Sequence, residues 1–509
     1  MSVQPVETAF GRKTRIDQAS CNKDYSCLDG DCPSFVTVLP KKNGRTALPA
    51  AQAPMDLPAP VLHCTLDDFG MRIMGVGGTG VVTTAQIIAT AASLAGLHVG
   101  ALDQLGLAQK GGAVVSDIKI SLRPITGANR LAPSECDLYL ACDVLVAVAE
   151  TNLAVASAER TIAIMSTSKV PTGAMILAPG IEFPAEAETR SRILSVARDQ
   201  LSAFADVRAI SNERFGSDQY ANIMLVGMAV QAGALPLEPG VIEKAIEING
   251  VAVQTNLRAF VTGRQIIVDP ALFVIRPPRR SASQAHAQGN ADISSRLHAD
   301  ASIATRETVA RLVPELVAYQ SATYAKKYVD TVERVRVREA RVAGSTGEIT
   351  ETFASSLFKL MAYKDEYEVA RLYVEPAFEA SLRQEFGEGA RFSYKLHPPV
   401  LKAIGFRKKI TLGPWFKPVF RLLYAMRRIR GTIVDPFGYA SVRRTERSLI
   451  VEFRDVVLQA TQRLTPDNRA LVAQLAALPE GIRGYEDVKL RNVTVFRERL
   501  SSMLEVLTG

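Results

Sequence analysis

Cysteine is scarce in this chain: six residues in 509, three of them crowded within 12 positions. So few thiols cannot staple a chain this long, which argues against a disulfide framework. A reducing cytoplasm is the expected compartment. The N-terminus lacks a basic start followed by an apolar core, so no secretory signal is expected. Long uncharged runs are few. The longest, residues 73–102, has the length to cross a bilayer, but its Gly and Thr break it into a short strand, a turn and a helix. No membrane association is expected. No internal repeat occurs at a solenoid period. The 34 glycines are close to average usage, which argues against a large low-complexity region.

What is present is the composition of a globular protein, 47% hydrophobic and 22% charged. The length calls for more than one core. Residues 1–38 read as a small cysteine-bearing module ending in a short strand near Val36. Residues 39–67 form a linker marked by Pro49, Pro54, Pro58 and Pro60. Between 68 and 275, apolar segments at 71–74, 97–102, 114–121, 138–145 and 161–165 read as strands. Residues 81–95, 186–204 and 220–234 have helical spacing, and 238–260 holds one or two further helices. That alternation predicts an open α/β sheet. Residues 276–303 read as a second linker. Residues 304–509 read as a mostly helical domain, with heptad-like apolar spacing at 309–335 and 349–372.

The net charge of +8 is uneven: residues 401–450 hold 12 Lys/Arg against 2 Asp/Glu. This is either a solvated basic helix face or a surface for an acidic partner, such as an acidic electron carrier. No recognition motif or aromatic interleaving accompanies the charge, so nucleic acid is not an expected partner.

The clustered cysteines stand in Cys21-Asn-Lys-Asp-Tyr-Ser-Cys27-Leu-Asp-Gly-Asp-Cys32-Pro33, a C-x5-C-x4-C spacing. Thiolates this close suit an iron–sulfur cluster or zinc. Zinc sites usually pair cysteines two to four apart and add histidines or a second pair. Here the nearest histidine is His63. A proline after the last cysteine is how ferredoxin-type motifs end, and in two-cluster ferredoxins one ligand of each run serves the other cluster. Cys21, Cys27 and Cys32 are therefore candidate cluster ligands that lack a fourth. Zinc and unliganded thiols are the alternatives. Cys64 is a candidate to complete a cluster but lies across the Pro-rich linker, and Cys136 and Cys142, at or beside a buried strand, read as core residues.

Gly75-x-Gly77-Gly78-x-Gly80 falls between a strand and a helix. Such a turn lets a helix N-terminus face a phosphate. Asp103, 28 residues after Gly75, stands where a ribose-binding acid would lie in a dinucleotide site. The same glycines also suit plain packing of helix on strand. A second feature, Gln109-Lys110-Gly111-Gly112-Ala113, precedes a strand. Its adjacent glycines suggest close backbone approach to a ligand or a domain. Lys110 is either a phosphate-neutralising group or a solvated loop lysine.

Together these segments resemble the C-terminal part of the bacterial indolepyruvate ferredoxin oxidoreductases, members of the thiamine-diphosphate-dependent 2-oxoacid:ferredoxin oxidoreductases. The cysteine run resembles the second run of that family's ferredoxin-like insert. Gly75 to Val82, Leu107 to Ser116, Phe215 to Asn222 and Glu247 to Phe260 resemble its gamma, or catalytic-domain, segment. The region beyond about 300 resembles a family-specific helical extension. The implied fold is an open α/β gamma-type domain, preceded by a partial ferredoxin-like module and followed by a mostly helical domain. The implied reaction is oxidative decarboxylation of an aryl 2-oxo acid, with electrons leaving through 4Fe-4S clusters to ferredoxin and coenzyme A taking the acyl group. The resemblance implies Cys21, Cys27 and Cys32 as cluster ligands, completed by one from an earlier cysteine run. It implies Gly75, Gly77, Gly78, Gly80, Lys110, Gly111 and Gly112 as a surface facing cofactor or coenzyme A.

Two family features are missing. No Gly-Asp-Gly with a distant Asn is present to hold magnesium and thiamine diphosphate, and no earlier cysteine run precedes Cys21. The chain is expected to be a fragment or subunit that works with thiamine-binding domains, within a homo-oligomer of the complete enzyme. The catalytic residues and the particular 2-oxo acid are not legible. The competing readings are an NAD(P)- or flavin-binding oxidoreductase using the glycine turn, and a non-catalytic scaffold.

Overall fold

The computed structural model describes residues 3–8, 10–18, 21, 23–30, 32–40, 57–106, 112–177, 181–273, 291–342, 346–387, 389–396 and 409–508. Among these are eleven strands: β1 (Val3–Thr8), β2 (Gly11–Ile16), β3 (Phe35–Leu39), β4 (Phe69–Val76), β5 (His98–Leu105), β6 (Ala113–Ser121), β7 (Leu138–Ala141), β8 (Ile162–Ser166), β9 (Ala203–Ala205), β10 (Arg391–Leu396) and β11 (Ile410–Leu412). The chain divides into two compact units. One is drawn from Met1–Lys23 and Thr46–Arg279, the other from Asp24–Arg45 and Arg280–Gly509. The cysteine run is thus shared, with Cys21 in the first unit and Cys27 and Cys32 in the second.

The first unit is an α/β fold. Its six-stranded sheet has the order β5-β6-β4-β7-β8-β9. Strands β4, β7, β8 and β9 are parallel, while β6 runs antiparallel to both β4 and β5. Central strand β4 is buried along nearly its whole length, as its largely apolar sequence requires. Its one charge, Arg72, faces Asp117 on β6 in a bidentate pair at 2.7 and 2.8 Å. That geometry offsets the cost of burying both ions. The uncharged run at 73–102 becomes the end of β4, the glycine turn, the helix Val81–Leu94 and the start of β5. No helix among the described residues is long and apolar enough to cross a membrane.

Behind the sheet, the helix Ala221–Gln231 is buried at all eleven positions. It crosses the helix Val253–Val268 where Gly227 and Gly263 let the backbones meet. One expected helix is shorter than its spacing suggests. The helix Glu186–Leu194 stops early, and Ala203–Ala205 leaves the helical pattern to pair with β8. Hairpin β1–β2 belongs to this unit, and Arg12 donates to the Met175 carbonyl at 2.5 Å.

The second unit is mostly helical, as its apolar spacing predicts. Helices Ile303–Tyr319, Ala322–Glu339, Glu348–Met361, Ser441–Gln462, Arg469–Ala477 and Glu486–Thr508 enclose one core. A second, aromatic core gathers Tyr373, Phe392, Tyr394, Leu412 and Phe420. Over it lies a three-stranded sheet, β11-β10-β3. The short strand expected near Val36 is therefore β3, and it pairs with a strand more than 350 residues away.

Candidate functional site

The glycine turn forms at the C-terminal end of β4. Gly75 is required by packing: a Cβ there would lie 2.6 Å from Val81 Cγ2 and 3.2 Å from Cys142 Cβ. Gly78 and Gly80 take φ of +86° and +88°, the left-handed region where L side chains are strained. Thr79 closes the turn, its hydroxyl donating to the Val76 carbonyl at 2.7 Å. Asn222 then donates from Nδ2 to the Thr79 carbonyl at 2.9 Å. The helix Val81–Leu94 starts at Gly80 with no side-chain cap and no acid in its first turn. Its first amides thus keep the partial positive charge that suits an anion.

The two glycine features, 35 positions apart, meet. Gly77 N–H donates to the Gly112 carbonyl at 2.7 Å. Gly112 thereby joins Gly77 beside the exposed Gly78 and Gly80, whereas Gly75 is buried beneath the turn. Lys110 and Gly111 lie outside the described residues.

Asp103 does not join this surface. It sits on β5, separated from β4 by antiparallel β6, and accepts from Ser116 Oγ at 2.5 Å. A dinucleotide fold places the ribose acid on a parallel strand beside the glycine turn. The mixed order here removes the geometry on which the nicotinamide reading depended.

Sequence reasoning missed Asp143. It follows β7, where its N–H and that of Cys142 donate to the Met74 carbonyl, beside the start of the glycine turn. Asp143 is 3% exposed. Its Oδ1 caps Val146 N–H at 3.0 Å, and its Oδ2 has no hydrogen-bond partner among the described residues. Burial pushes its carboxyl above the usual range. An acid just past a buried parallel strand is the signal that would have found it. Asn222 ends the Phe215–Asn222 segment that carries the resemblance, but nothing local announced its bond to Thr79, 143 residues away.

All six cysteines carry thiols. Cys136 and Cys142 are core residues; burial raises both, Cys142 to about 12. Cys64 donates to the Gly233 carbonyl at 3.6 Å, and burial pushes it up to about 12. It is a protonated packing residue, unsuited to ligation without deprotonation. Cys21, Cys27 and Cys32 are only partly buried. Cys21 Sγ accepts from Lys23 N–H at 3.4 Å. These three soft donors are not gathered as an iron–sulfur cluster requires. Among the described residues no three Cys, His, Asp or Glu side chains gather into a group able to hold a metal ion.

The first unit's sheet, helices and glycine surface define a known class of domain: residues 70–266 match the family pyruvate ferredoxin/flavodoxin oxidoreductase. Residues 305–502 match a family of unknown function, DUF6537. Among curated proteins the chain is similar to indolepyruvate oxidoreductase subunit IorB of Archaeoglobus fulgidus, 29% identical over 38% of this chain and 91% of the relative. It is also similar to the subunit of that name from Methanothermobacter thermautotrophicus, 26% identical over 38% of this chain and 96% of the relative. Among solved structures, pyruvate oxidoreductase subunit PORC of Thermotoga maritima aligns at 19% identity and a TM-score of 0.30, covering 39% of this chain and 96% of that one.

Proposed function

We propose that this chain is a subunit of a thiamine-diphosphate-dependent ferredoxin oxidoreductase acting on indolepyruvate or a related aryl 2-oxo acid. The observation that carries the reading is the oxidoreductase domain at 70–266, similar over nearly the whole length of two indolepyruvate oxidoreductase subunits. In the complete enzyme, thiamine diphosphate with magnesium supplies the decarboxylation chemistry, and 4Fe-4S clusters carry the electrons away singly.

This chain's own residues have three tasks in that reading. Cys21, Cys27 and Cys32 are the cluster ligands that the resemblance implies, with one more from another segment, although these thiols are not gathered among the described residues. Gly78, Gly80 and the uncapped amides at Val81 receive a phosphate of coenzyme A, with Gly112 keeping the backbone close. The first unit buttresses the thiamine-binding domains, which supply the diphosphate site. Ferredoxin is the electron acceptor.

The test is reconstitution. The purified chain is assayed for indolepyruvate-dependent ferredoxin reduction with thiamine diphosphate and coenzyme A, alone and with a thiamine-binding subunit. The expected result is no turnover alone and turnover in the mixture. Turnover by the chain alone would overturn the division of labour proposed here.

A further inference from the structure

We propose that the loop at residues 430–440 of the helical unit, whose family has no known function, is a docking surface for a small acidic protein that carries electrons. This rests on the reading of ferredoxin as the acceptor.

The loop is tied down from beneath. Its one acid, Asp435, is 2% exposed. Oδ1 accepts from the Tyr367 hydroxyl at 3.0 Å and from Phe437 N–H at 3.1 Å, and Oδ2 accepts from Gly431 N–H at 2.7 Å. Arg447 donates to the Gly438 carbonyl at 2.6 Å, and the loop's first residue, buried Arg430, is held by Asp365. Tyr439 O–H donates to the Ile433 carbonyl at 2.5 Å, closing the loop across its tip. The tip itself is apolar and faces water: Ile433 is 89% exposed, and Val434 and Tyr439 are each 64% exposed.

Apolar residues scattered singly are ordinary on a protein surface. Three on one loop, with its polar groups spent inward to hold it in place, mark an interaction site. A tip already fixed loses little conformational freedom on binding, which suits an anchor. Charge names the kind of partner. Arg428 and Arg444 stand exposed on either side of the loop. The only acids between residues 410 and 448, Asp435 and Glu446, are buried, and Glu446 is spent on Arg443 and Lys489. Arg444 lies at the start of the helix Ser441–Gln462, where a cation opposes the helix dipole and the first turn holds no acid to offset it. An anionic partner relieves that cost. A small apolar centre with a cationic rim fits the small, transient contacts of electron carriers, whereas a permanent subunit interface is broader and more apolar.

The test is calorimetric titration of ferredoxin into the full chain at low and high ionic strength, with ferredoxin reduction by the assembled enzyme as a second readout. The double variant Ile433→Gln, Val434→Thr is expected to weaken binding about ten-fold at both ionic strengths, because salt does not screen an apolar contact. Both side chains face solvent, so its urea unfolding should match that of the wild type. Tyr439→Phe, which frees the Ile433 carbonyl, is expected to weaken binding several-fold by loosening the tip. Wild-type affinity in the double variant would overturn the docking surface and leave the acceptor reading intact. So would a wild-type chain that binds no ferredoxin although the assembled enzyme reduces it. An assembled enzyme that reduces a viologen but not ferredoxin would overturn the acceptor reading and the docking surface with it. With ferredoxin affinity unchanged, a loss in the double variant of binding to phosphatidylglycerol vesicles would give the loop to a membrane, and a loss of self-association in sedimentation would give it to a second copy. Either result would overturn the proposal.

Discussion

At the scale of single residues, environment sorts the thiols more sharply than spacing does. Cys64 is in sequence a candidate fourth ligand, but burial, reinforced by the nearby charge of Asp137, holds it as a thiol with a pKa pushed up to about 12. A raised acid favours its neutral form in the fold. Its contribution to stability is therefore present below the ordinary value of 9.0 and is lost as pH rises from there toward about 12. The same shift governs reactivity, since only the thiolate attacks. Iodoacetamide labelling of Cys64, followed by peptide mass spectrometry, should be slow at pH 8. It should climb roughly ten-fold per pH unit through pH 10, following the thiolate fraction. A plateau near pH 9 would mean that the thiol is not desolvated.

At the scale of elements, the helices Ala221–Gln231 and Val253–Val268 cross at a distance only glycine allows. A Cβ on Gly263 would sit 1.9 Å from the Met224 carbonyl oxygen, and one on Gly227 would sit 2.1 Å from that of Phe260. Both obstacles are backbone, which cannot turn aside like a side chain. Gly263→Ala should therefore cost about 3 kcal/mol, the upper part of the overpacking range. Gly240→Ala, with nothing within 4 Å of the added atom, should be neutral or stabilising by under about 1 kcal/mol. Urea unfolding of the two variants checks the contrast. Helix Ala221–Gln231 matters to the site because Asn222, at its start, holds the Thr79 carbonyl.

The elements of the first unit were legible because each carries its own pattern. Strand β4 is an apolar run ended by glycine, and the helix after it starts and stops at Gly80 and just before Gly96. The links between them were not. Nothing local to Gly77 announces Gly112, and nothing local to β3 announces β10, because ladder partners are chosen by tertiary packing. Three-residue β9 was hidden inside a helical pattern for the same reason: its pairing with β8, not its propensity, decides its form. For the candidate site, the glycines and the cysteine run were visible in the sequence, whereas Asp143 and the bond from Asn222 to Thr79 emerged only with the assembled fold.

At the scale of the whole molecule, the basic residues described within 401–450 include two populations. Arg430 is 5% exposed, pairs with Asp365 through both Nε and NH2, and lies 3.6 Å from the Tyr319 ring centroid. Arg443 bridges Glu366 and Glu446, and Lys417 bonds Glu379. Arg427 packs 4.3 Å from the Tyr424 ring centroid. These charges hold the fold. Arg421, Arg428 and Arg444 are instead exposed to solvent. If ferredoxin docks here, the second population steers it, since exposed charge sets encounter rates and their salt dependence. Reversing Arg421 and Arg428 to Glu should slow ferredoxin reduction by the assembled enzyme about ten-fold at low ionic strength, and should flatten the dependence on salt. Reduction of a small uncharged viologen analogue should be unaffected, because it needs no docking surface. Arg430→Glu belongs to a different class: it leaves Asp365 facing a like charge in the interior, so it should unfold the helical unit and abolish both reactions. An unchanged ferredoxin rate and salt slope in the double reversal would return residues 417–430 to the role of a solvated helix face.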